Sequence, residues 1–579
     1  MATQPASESL VARPGSRLFK HLHAWPVTVL VIAGLVMLPV LSVFYLALFP
    51  TENIWRHLYD TVLFRYIETT LTLLAGVGLL SFIIGVTTAW LVTLCRFPGR
   101  RVFEWALLLP FAVPAYVIAF IYTDMLEFAG PVQGALRDAF DWQTSRDYWF
   151  PDIRSMGGAI VLMSLVLYPY IYLMARAAFM EQGSNVLAAS RTLGCTPLQS
   201  FYRVSLPLAR PAIAVGLALT LMETLNDFGT VDYFAIRTLS LGVYDTWLNM
   251  GNLGGAAQIA SMMLLFVVVL MTLERMGRAR QRHFGQGKPN QDSALYTLTG
   301  AKAWLAFLAC ALPLVLGFAV PAFQLARYAF GNFSSYWTSD FVVISWNSLF
   351  LSTAAALVTV TIGTLLAYGR RLHPSRGVRA LVSLSKLGYA MPGTVLAIGV
   401  LIPLAAFDNT LDAWLRAQFD VSSGLLLSGT VFALIFAYSV RFLAVAAGAI
   451  ESSLDKVTPS MDKAARSLGL NSLATLRRVH LPLIRPGLLT GALIVFVDTM
   501  KELPATLMLR PFNFDTLATH VYQFASDERI EAAAMGALMI VVVGLLPVIL
   551  LSRSIKGGRK AATPALLSAT EQGASEPQR

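Results

Sequence analysis

Two stretches of the chain, LAASRTLGCTPLQSFYRVSLPLARP (187–211) and DKAARSLGLNSLATLRRVHLPLIRP (462–486), align without a gap at an offset of 275 residues. Upstream of them, at an offset of 278, Gly85 falls opposite Gly363, and Pro114 in FAVPAYVIAF falls opposite Pro392 in YAMPGTVLAI. Self-similarity over such distances indicates a duplicated structural unit. The chain is therefore predicted to consist of two similar halves in tandem.

The composition predicts that this repeat lies in a membrane. Of 579 residues, 56% are hydrophobic and only 13% are charged, whereas a soluble domain has about 25% charged residues. Apolar runs of about 20 residues are long enough to cross the hydrocarbon layer as helices. We count twelve such runs, at 26–48, 68–94, 103–127, 157–180, 211–232, 255–274, 302–325, 345–369, 380–405, 424–450, 487–509 and 531–552.

The expected fold is an all-α polytopic membrane protein with two tandem six-helix repeats. Because each half has an even number of spans, both halves face the same way, as in parallel repeats. The predicted division is an N-terminal tail (1–25), a first repeat (26–274) with a polar loop at 185–211, a basic linker (275–301), a second repeat (302–552) with a polar loop at 460–486, and a C-terminal tail (553–579).

The distribution of basic residues sets the orientation. Of the 44 Lys and Arg residues, 30 lie on one side of the predicted spans and 10 on the other, and short basic loops stay on the cytoplasmic side. Both termini are therefore expected to be cytoplasmic. The net charge of +11 comes from these short clusters, so nucleic acid is not an expected partner, whereas the lipid bilayer is.

Within the duplicated loop, the residues predict a short capped helix. Gly194 suits a left-handed helix end, Thr196 an N-cap, and Gln199 the third position of a capping box. In the second copy Asn471 takes the cap position. Apolar residues recur every three positions and predict an apolar stripe on one face of each helix, formed by Leu198, Phe201 and Val204 in the first copy and by Leu473, Leu476 and Val479 in the second. Pro207 and Pro482 are expected to end the two helices. Such a helix could also lie on the lipid surface, although that would not require Gly and Leu-Pro at fixed distances in both copies.

The motifs AASRTLG to SLP and KAARSLG to HLP resemble the signature of the integral-membrane permeases of bacterial ATP-binding-cassette importers. In that family the loop forms a coupling helix that docks on a cytoplasmic ATPase. The resemblance implies two copies of such an ATPase, which would carry ATP and Mg, and a periplasmic substrate-binding protein. This chain departs from the family signature at the position of its glutamate, which is Ala188 in the first copy and Lys463 in the second. The docking residues that the resemblance implies are Ala189, Gly194, Leu206, Pro207, Ala464, Ala465, Gly469, Leu481 and Pro482.

A second repeated pattern places charge inside the membrane. Glu223-Thr-Leu-Asn-Asp227 aligns with Asp498-Thr-Met-Lys-Glu502 at the same offset of 275, and charge inside a span usually faces a partner or an aqueous path. One hypothesis is a translocation path lined by Glu223, Asn226, Asp227, Asp498, Lys501 and Glu502. No fixed metal site is predicted, only transient cation contact at Glu223, Asp227, Asp498 and Glu502. The alternative is a structural salt bridge from Lys501 to Glu223 or Asp227 across the two halves.

The stretches METLNDFGTVDYF (222–234) and DTMKELPATLMLRPFNFDTLAT (498–519) resemble the ferric-iron subgroup, in which one fused chain supplies both permease halves. This resemblance implies iron delivered by the binding protein and a location in the bacterial inner membrane. The alternative within the family is a fused permease for thiamine or another small solute.

Two other functional classes fit less well. A secondary transporter of the major-facilitator type also has twelve spans in parallel halves, but it would not explain the duplicated loop. An enzyme is not expected, because HExxH, Gly-x-Ser-x-Gly and GxxxxGK[ST] motifs are absent from the sequence, and His480 is interpreted as a polar surface residue. Without a phosphate-binding loop, the chain needs a separate ATPase, and no cofactor is expected in the chain itself.

Overall fold

The computed structural model describes residues 16–50, 54–182, 189–190, 192–279 and 296–560, and these are helical almost throughout. Parts of the predicted tails, linker and first polar loop, including Ala188, lie outside the described residues. The helices of the first half are α1 (Ser16–Leu48), α2 (Trp55–Thr61), α3 (Leu63–Leu94), α4 (Arg100–Ala106), α5 (Ala115–Leu126), α6 (Pro131–Phe140), α7 (Met156–Glu181), α8 (Pro197–Ser200), α9 (Leu206–Asn226), α10 (Gly229–Tyr233), α11 (Leu239–Tyr244) and α12 (Leu253–Ala279).

The second half has a similar but not identical series of helices. Its helices are α13 (Ala301–Leu314), α14 (Val320–Gly331), α15 (Phe333–Tyr336), α16 (Ser339–Leu372), α17 (Arg376–Ser385), α18 (Gly393–Phe419), α19 (Val431–Leu454), α20 (Pro459–Ser467), α21 (Ser472–Thr475), α22 (Leu481–Leu483), α23 (Arg485–Met500), α24 (Pro504–Leu509), α25 (Leu517–Ser526) and α26 (Ile530–Lys560).

Short irregular segments connect these helices. Two 3₁₀ turns and four π-helical segments occur among the described residues, at Leu109–Ala112, Lys386–Ala390, Phe201–Ser205, Asp245–Asn249, Val315–Ala319 and Leu476–His480. The strands β1 (Cys95–Arg96) and β2 (Tyr296–Thr297) form one small parallel pair.

The predicted number of spans is confirmed. Eleven helical segments in the described part of the chain are long and apolar enough to cross a membrane, and a twelfth span is formed if the bent pair Ser472–Leu483 and Arg485–Met500 is counted as one. The bend between the two members of this pair is 77°. The fold is thus all-helical apart from the small strand pair.

Several spans predicted as continuous helices are in fact broken. The predicted span 103–127 is interrupted before Pro114, and the predicted span 380–405 is interrupted before Pro392. Proline disfavours the helical conformation of the residue before it, and Val113 and Met391 are accordingly extended, with ψ angles of 118° and 99°. Each break leaves a new helix N-terminus in the middle of a predicted span.

The predicted spans 211–232 and 487–509 are broken in the same way. Helix α9 ends at Asn226 and the short helix α10 follows, while α23 ends at Met500 and the short helix α24 follows. These interruptions fall at equivalent places in the two repeats. Four broken spans therefore meet near the middle of the molecule.

The first helix of each repeat packs against the other repeat. In α1, Trp25 stacks edge-on against Tyr368 of α16, with ring centroids 5.1 Å apart. In the opposite direction, the Tyr122 hydroxyl of α5 donates a hydrogen bond of 2.8 Å to the Leu316 carbonyl, just after α13. Each half thus contributes its first helical segment to contacts with the other half, and these contacts hold the two halves together.

Helix packing within each half predicts that alanine destabilises the protein more at Gly85 than at Gly363, the glycine at the matching position of the second repeat. A Cβ atom at Gly85 would lie 2.9 Å from the Ile171 Cβ and 3.0 Å from the Tyr168 carbonyl oxygen, whereas a Cβ at Gly363 would lie 3.3 Å from the Ala447 nitrogen. Overpacking costs about 1–3 kcal/mol, while Gly to Ala favours a helix by about 1 kcal/mol. We expect Gly85→Ala to lower the thermal unfolding midpoint in detergent and Gly363→Ala to leave it nearly unchanged. Equal shifts would contradict this packing.

Candidate functional site

The duplicated loops have the predicted turn and cap geometry. Gly194 and Gly469 have φ angles of +78° and +81°, which suit glycine because it lacks a Cβ. Thr196 forms the predicted capping box, since its hydroxyl accepts from the Gln199 backbone at 3.3 Å and the Gln199 side chain accepts from the Thr196 backbone at 3.0 Å. In the second copy, Asn471 Oδ1 accepts from the Ala474 backbone at 2.8 Å. The helix caps predicted from the sequence are confirmed.

Each loop presents exposed leucines at repeat-equivalent positions. Leu193 and Leu468 are 83% and 80% exposed, and Leu198 and Leu473 are 59% and 64% exposed. We call these four residues the loop leucines. A matched apolar face that is solvated in the isolated chain is typical of a surface that binds another protein.

The nine predicted docking residues, which do not include the loop leucines, differ in exposure. Ala465 is buried, as is its counterpart Ser190, so neither side chain lies on the outer face of its loop. Leu206, Pro207 and Leu481 are half-buried, while the other five are exposed: Ala189, Gly194, Ala464, Gly469 and Pro482.

The prediction that Pro207 ends the first loop helix is wrong. The helix passes through the π-helical segment after α8 and continues directly into α9, which contains Pro207 in its first turn. A proline inside a helix lacks the N–H of one hydrogen bond, and here the π-helical segment just before Pro207 changes the hydrogen-bond pattern at that point. In the second copy, the helix does stop at Leu483, one residue after Pro482.

The second loop is fixed to the membrane helices by ionic contacts around Asp462. Arg371, at the end of α16, donates to Asp462 Oδ2 at 2.9 Å and to the Leu454 and Val457 carbonyls. The Nε2 of His480 lies 2.6 Å from Asp462 Oδ1, and His480 is buried. The interpretation of His480 as a surface residue is therefore wrong. In the first loop, an aromatic contact takes the place of these ionic contacts, since the ring centroids of Phe201 and Trp90 lie 5.1 Å apart.

A cavity lies between the two halves where the broken spans meet. It has a volume of about 120 Å³ for the centres of water-sized molecules, which is room for several waters. All six residues predicted for the translocation path line this cavity: Glu223, Asn226, Asp227, Asp498, Lys501 and Glu502. The structure thus brings together the two repeated charge patterns that lie 275 residues apart in the sequence.

Two of the cavity carboxylates cap the short helices that follow the breaks. Asp227 accepts from the Thr230 backbone at 2.9 Å and from the Thr230 hydroxyl at 3.1 Å. Glu502 occupies the equivalent position before α24 and accepts from the backbones of Ala505 and Thr506 at 3.2 Å and 3.1 Å. Helix N-termini stabilise negative charge. These two carboxylates therefore accept hydrogen bonds from backbone N–H groups at the start of the short helices that follow the breaks.

Arg441 connects the halves beside these caps. Its Nη1 donates to Asn226 Oδ1 at 3.0 Å and lies 3.6 Å from Glu502 Oε1. The same Asn226 oxygen accepts from the Gly393 backbone at 2.6 Å, at the N-terminus of α18. Asn226 of the first half thus accepts two hydrogen bonds from the second half.

The other two cavity carboxylates have different environments. Lys501 lies 2.9 Å from Asp498 within the same helix end and stacks over the Phe111 ring at 4.3 Å. The alternative salt bridge from Lys501 to Glu223 or Asp227 is therefore wrong. Glu223 instead accepts a hydrogen bond of 3.2 Å from the Tyr389 hydroxyl. Among the described residues, no group of three or more His, Cys, Asp or Glu side chains is arranged to hold a metal ion.

Both repeats match one protein family. Residues 81–283 and 359–556 each match the family described as binding-protein-dependent transport system inner membrane component. These two matches cover more than half of the chain. The chain belongs to this family.

The permease is therefore a non-catalytic inner-membrane subunit of a binding-protein-dependent ATP-binding-cassette transporter, which places it outside the major-facilitator class. It is 26% identical to the Fe(3+)-transport system permease protein FbpB 2 of Haemophilus influenzae, over 84% of this chain and 89% of that protein. It is 24% identical to the ferric transport system permease protein FbpB of Actinobacillus pleuropneumoniae, over 86% and 72%. It is also 27% identical to the sulfate transport system permease protein CysT of Salmonella typhimurium, over 41% and 78%.

The sequence patterns did not identify several residues of the cavity. Arg441 lies inside an apolar run and could have been singled out by its charge alone. Tyr116 and Tyr170 also line the cavity, but an aromatic residue in a span gives no sequence signal for such a position. Their placement depends on how the two halves face each other.

The contacts of Arg441 predict a large effect of its removal. Arg441→Met would leave Glu502 buried without its cation, and breaking a buried ion pair costs about 3–5 kcal/mol. Arg416→Met, which removes an ion pair between a mostly exposed arginine and Asp412, would cost less than about 1 kcal/mol. Thermal unfolding of the two purified variants tests this difference. Similar midpoints would show that Arg441 has no role in holding the halves together.

Proposed function

We propose that this permease carries ferric iron, delivered by a periplasmic binding protein, across the inner membrane. The single observation in the structure that favours a cationic cargo is the charge of the cavity. Four carboxylates, Glu223, Asp227, Asp498 and Glu502, line it together with two cationic side chains, Arg441 and Lys501. An excess of carboxylates attracts a hard cation and repels an anion.

The similarity to proteins named as ferric permeases supports the same cargo, since it extends over both halves of the chain. The sulfate permease matches only 41% of the chain, and the cavity charge disfavours an anion such as sulfate. A fused permease for thiamine or another small solute is the alternative. Thiamine is a cation, so the charge of the cavity alone does not separate it from iron.

Energy for transport would come from two copies of a cytoplasmic ATPase, which would hold the ATP and Mg. The loop leucines supply a matched apolar face on each half for these subunits. The loops are joined directly to the cavity helices, because the first continues into α9 and the second leads into α23. Movement of an ATPase pair would therefore reach Glu223 and Asp498 through a single helix on each side.

The loop glycines offer a test of ATPase docking. A Cβ at Gly194, Gly469 or the control Gly251 would meet nothing within 4 Å, and all three have positive φ angles. Valine at any of them would cost about 1–2 kcal/mol of backbone strain. We expect the double variant Gly194→Val/Gly469→Val to lose ATP-dependent uptake, and Gly251→Val to lose only stability. Uptake that survives in the loop variant would contradict the docking assignment.

Iron uptake by cells tests the cargo directly. In a strain lacking this gene, we expect labelled ferric iron uptake to fall and to return with the wild-type chain. Glu223→Gln would restore about tenfold less uptake, which corresponds to about 1.4 kcal/mol, because the cavity loses a negative charge. The control Glu68→Gln, at an exposed residue outside the cavity, would restore full uptake. Unchanged iron uptake in the deletion strain, with thiamine uptake lost, would overturn the iron assignment in favour of the alternative.

A further inference from the structure

Two tyrosines approach the cavity carboxylates from opposite halves. Tyr389, in the 3₁₀ turn before Pro392, donates its hydroxyl hydrogen to Glu223 Oε1 at 3.2 Å. Tyr170 of α7 lines the cavity, and its ring is held edge-on against Phe111 with centroids 5.0 Å apart. Glu223 and Tyr170 thus line the same cavity, and Tyr389 is joined to it through its hydrogen bond to Glu223.

The negative charge of Glu223 is less compensated by neighbouring groups than that of the other three cavity carboxylates. Asp498 is paired with Lys501, and Asp227 and Glu502 accept backbone N–H groups of short helices. Within the part of the chain that the structure describes, Glu223 has neither a cationic partner nor a helix N-terminus. It is thus the carboxylate with the most uncompensated negative charge in the cavity.

The cavity contains a buried polar group without a partner. Tyr116 is 4% exposed and lines the cavity, and its hydroxyl makes no hydrogen bond within the described chain. Buried hydroxyls are normally hydrogen-bonded. The Tyr116 hydroxyl is thus a polar group without a protein partner in the lining of a cavity that has room for water or a polar solute.

Carboxylate and phenol oxygens are hard ligands. Carboxylate oxygen suits hard cations, and tyrosine oxygen serves as a ligand to iron in proteins. A path for ions needs contacts that are favourable enough for entry and weak enough for release. Three oxygen donors that come from two separate halves meet this need, because relative movement of the halves would separate them.

On the basis of the ferric transport proposed above, we propose that Glu223, Tyr389 and Tyr170 form the contact site for the ferric ion within the cavity. When the ion arrives, an iron–oxygen bond forms at the Tyr389 hydroxyl oxygen and its O–H bond breaks. The proton passes along the existing hydrogen bond to Glu223. When the ion leaves, the proton returns to Tyr389, so the site is regenerated without any change in oxidation state.

The test uses the permease assembled with its ATPase in lipid nanodiscs, with ferric nitrilotriacetate as the probe. A phenolate bound to iron(III) absorbs visible light, so the wild-type complex should develop a visible band on addition of the probe. Tyr389→Phe and Glu223→Gln should lose this band, and Tyr170→Phe should weaken it. The control Tyr168→Phe removes a fully buried hydroxyl that bonds the Leu107 carbonyl outside the cavity, and this variant should keep the band.

Iron uptake by cells separates this proposal from the transport function itself. If wild-type cells import iron but the Tyr389→Phe and Tyr170→Phe variants import it equally well, the contact site is wrong and the transport function stands. If the wild-type complex develops no band, the site is likewise refuted. If the wild-type chain does not support iron uptake at all, the proposed function fails, and the site for iron fails with it.

Discussion

The capping of two interrupted membrane helices by Asp227 and Glu502 is the interaction on which the centre of this permease depends. Inside a bilayer, each backbone N–H released by a helix break must find a partner within the protein. The two carboxylates supply these partners at equivalent places in the two repeats. Because the breaks are satisfied locally, the spans can be interrupted, and a polar cavity can exist between the halves.

The two repeats solve the same structural problem and then diverge. The position of Asn226 in one half is occupied by Lys501 in the other, so one accepts donors across the interface while the other pairs with Asp498. The loops diverge in the same way, since the first rests on an aromatic contact and the second on the ion pair between Arg371 and Asp462. A duplicated chain thus produces an asymmetric cavity, in which Glu223 of the first half has no cationic partner among the described residues.

Features fixed by neighbouring residues could be predicted from the sequence. The left-handed glycines and the caps at Thr196 and Asn471 follow from local chemistry, and the spans follow from hydropathy. The helix breaks at Pro114 and Pro392 do not follow from hydropathy, because an apolar stretch has the same composition whether its helix is continuous or interrupted. The burial of His480 and the positions of Tyr170 and Arg441 depend on contacts between distant segments. Such contacts carry no signal in a single sequence.

The central claim is that ATP, acting through the loops, drives ferric ions through the cavity between the repeats. The most direct measurement uses proteoliposomes that contain the purified permease and its ATPase, with ATP on the loop side and iron-loaded binding protein on the other. The account predicts that iron accumulates on the ATP side and that accumulation stops when the ATPase or ATP is omitted. Iron movement at the same rate without ATP, or ATP-driven movement of a different solute only, would contradict it.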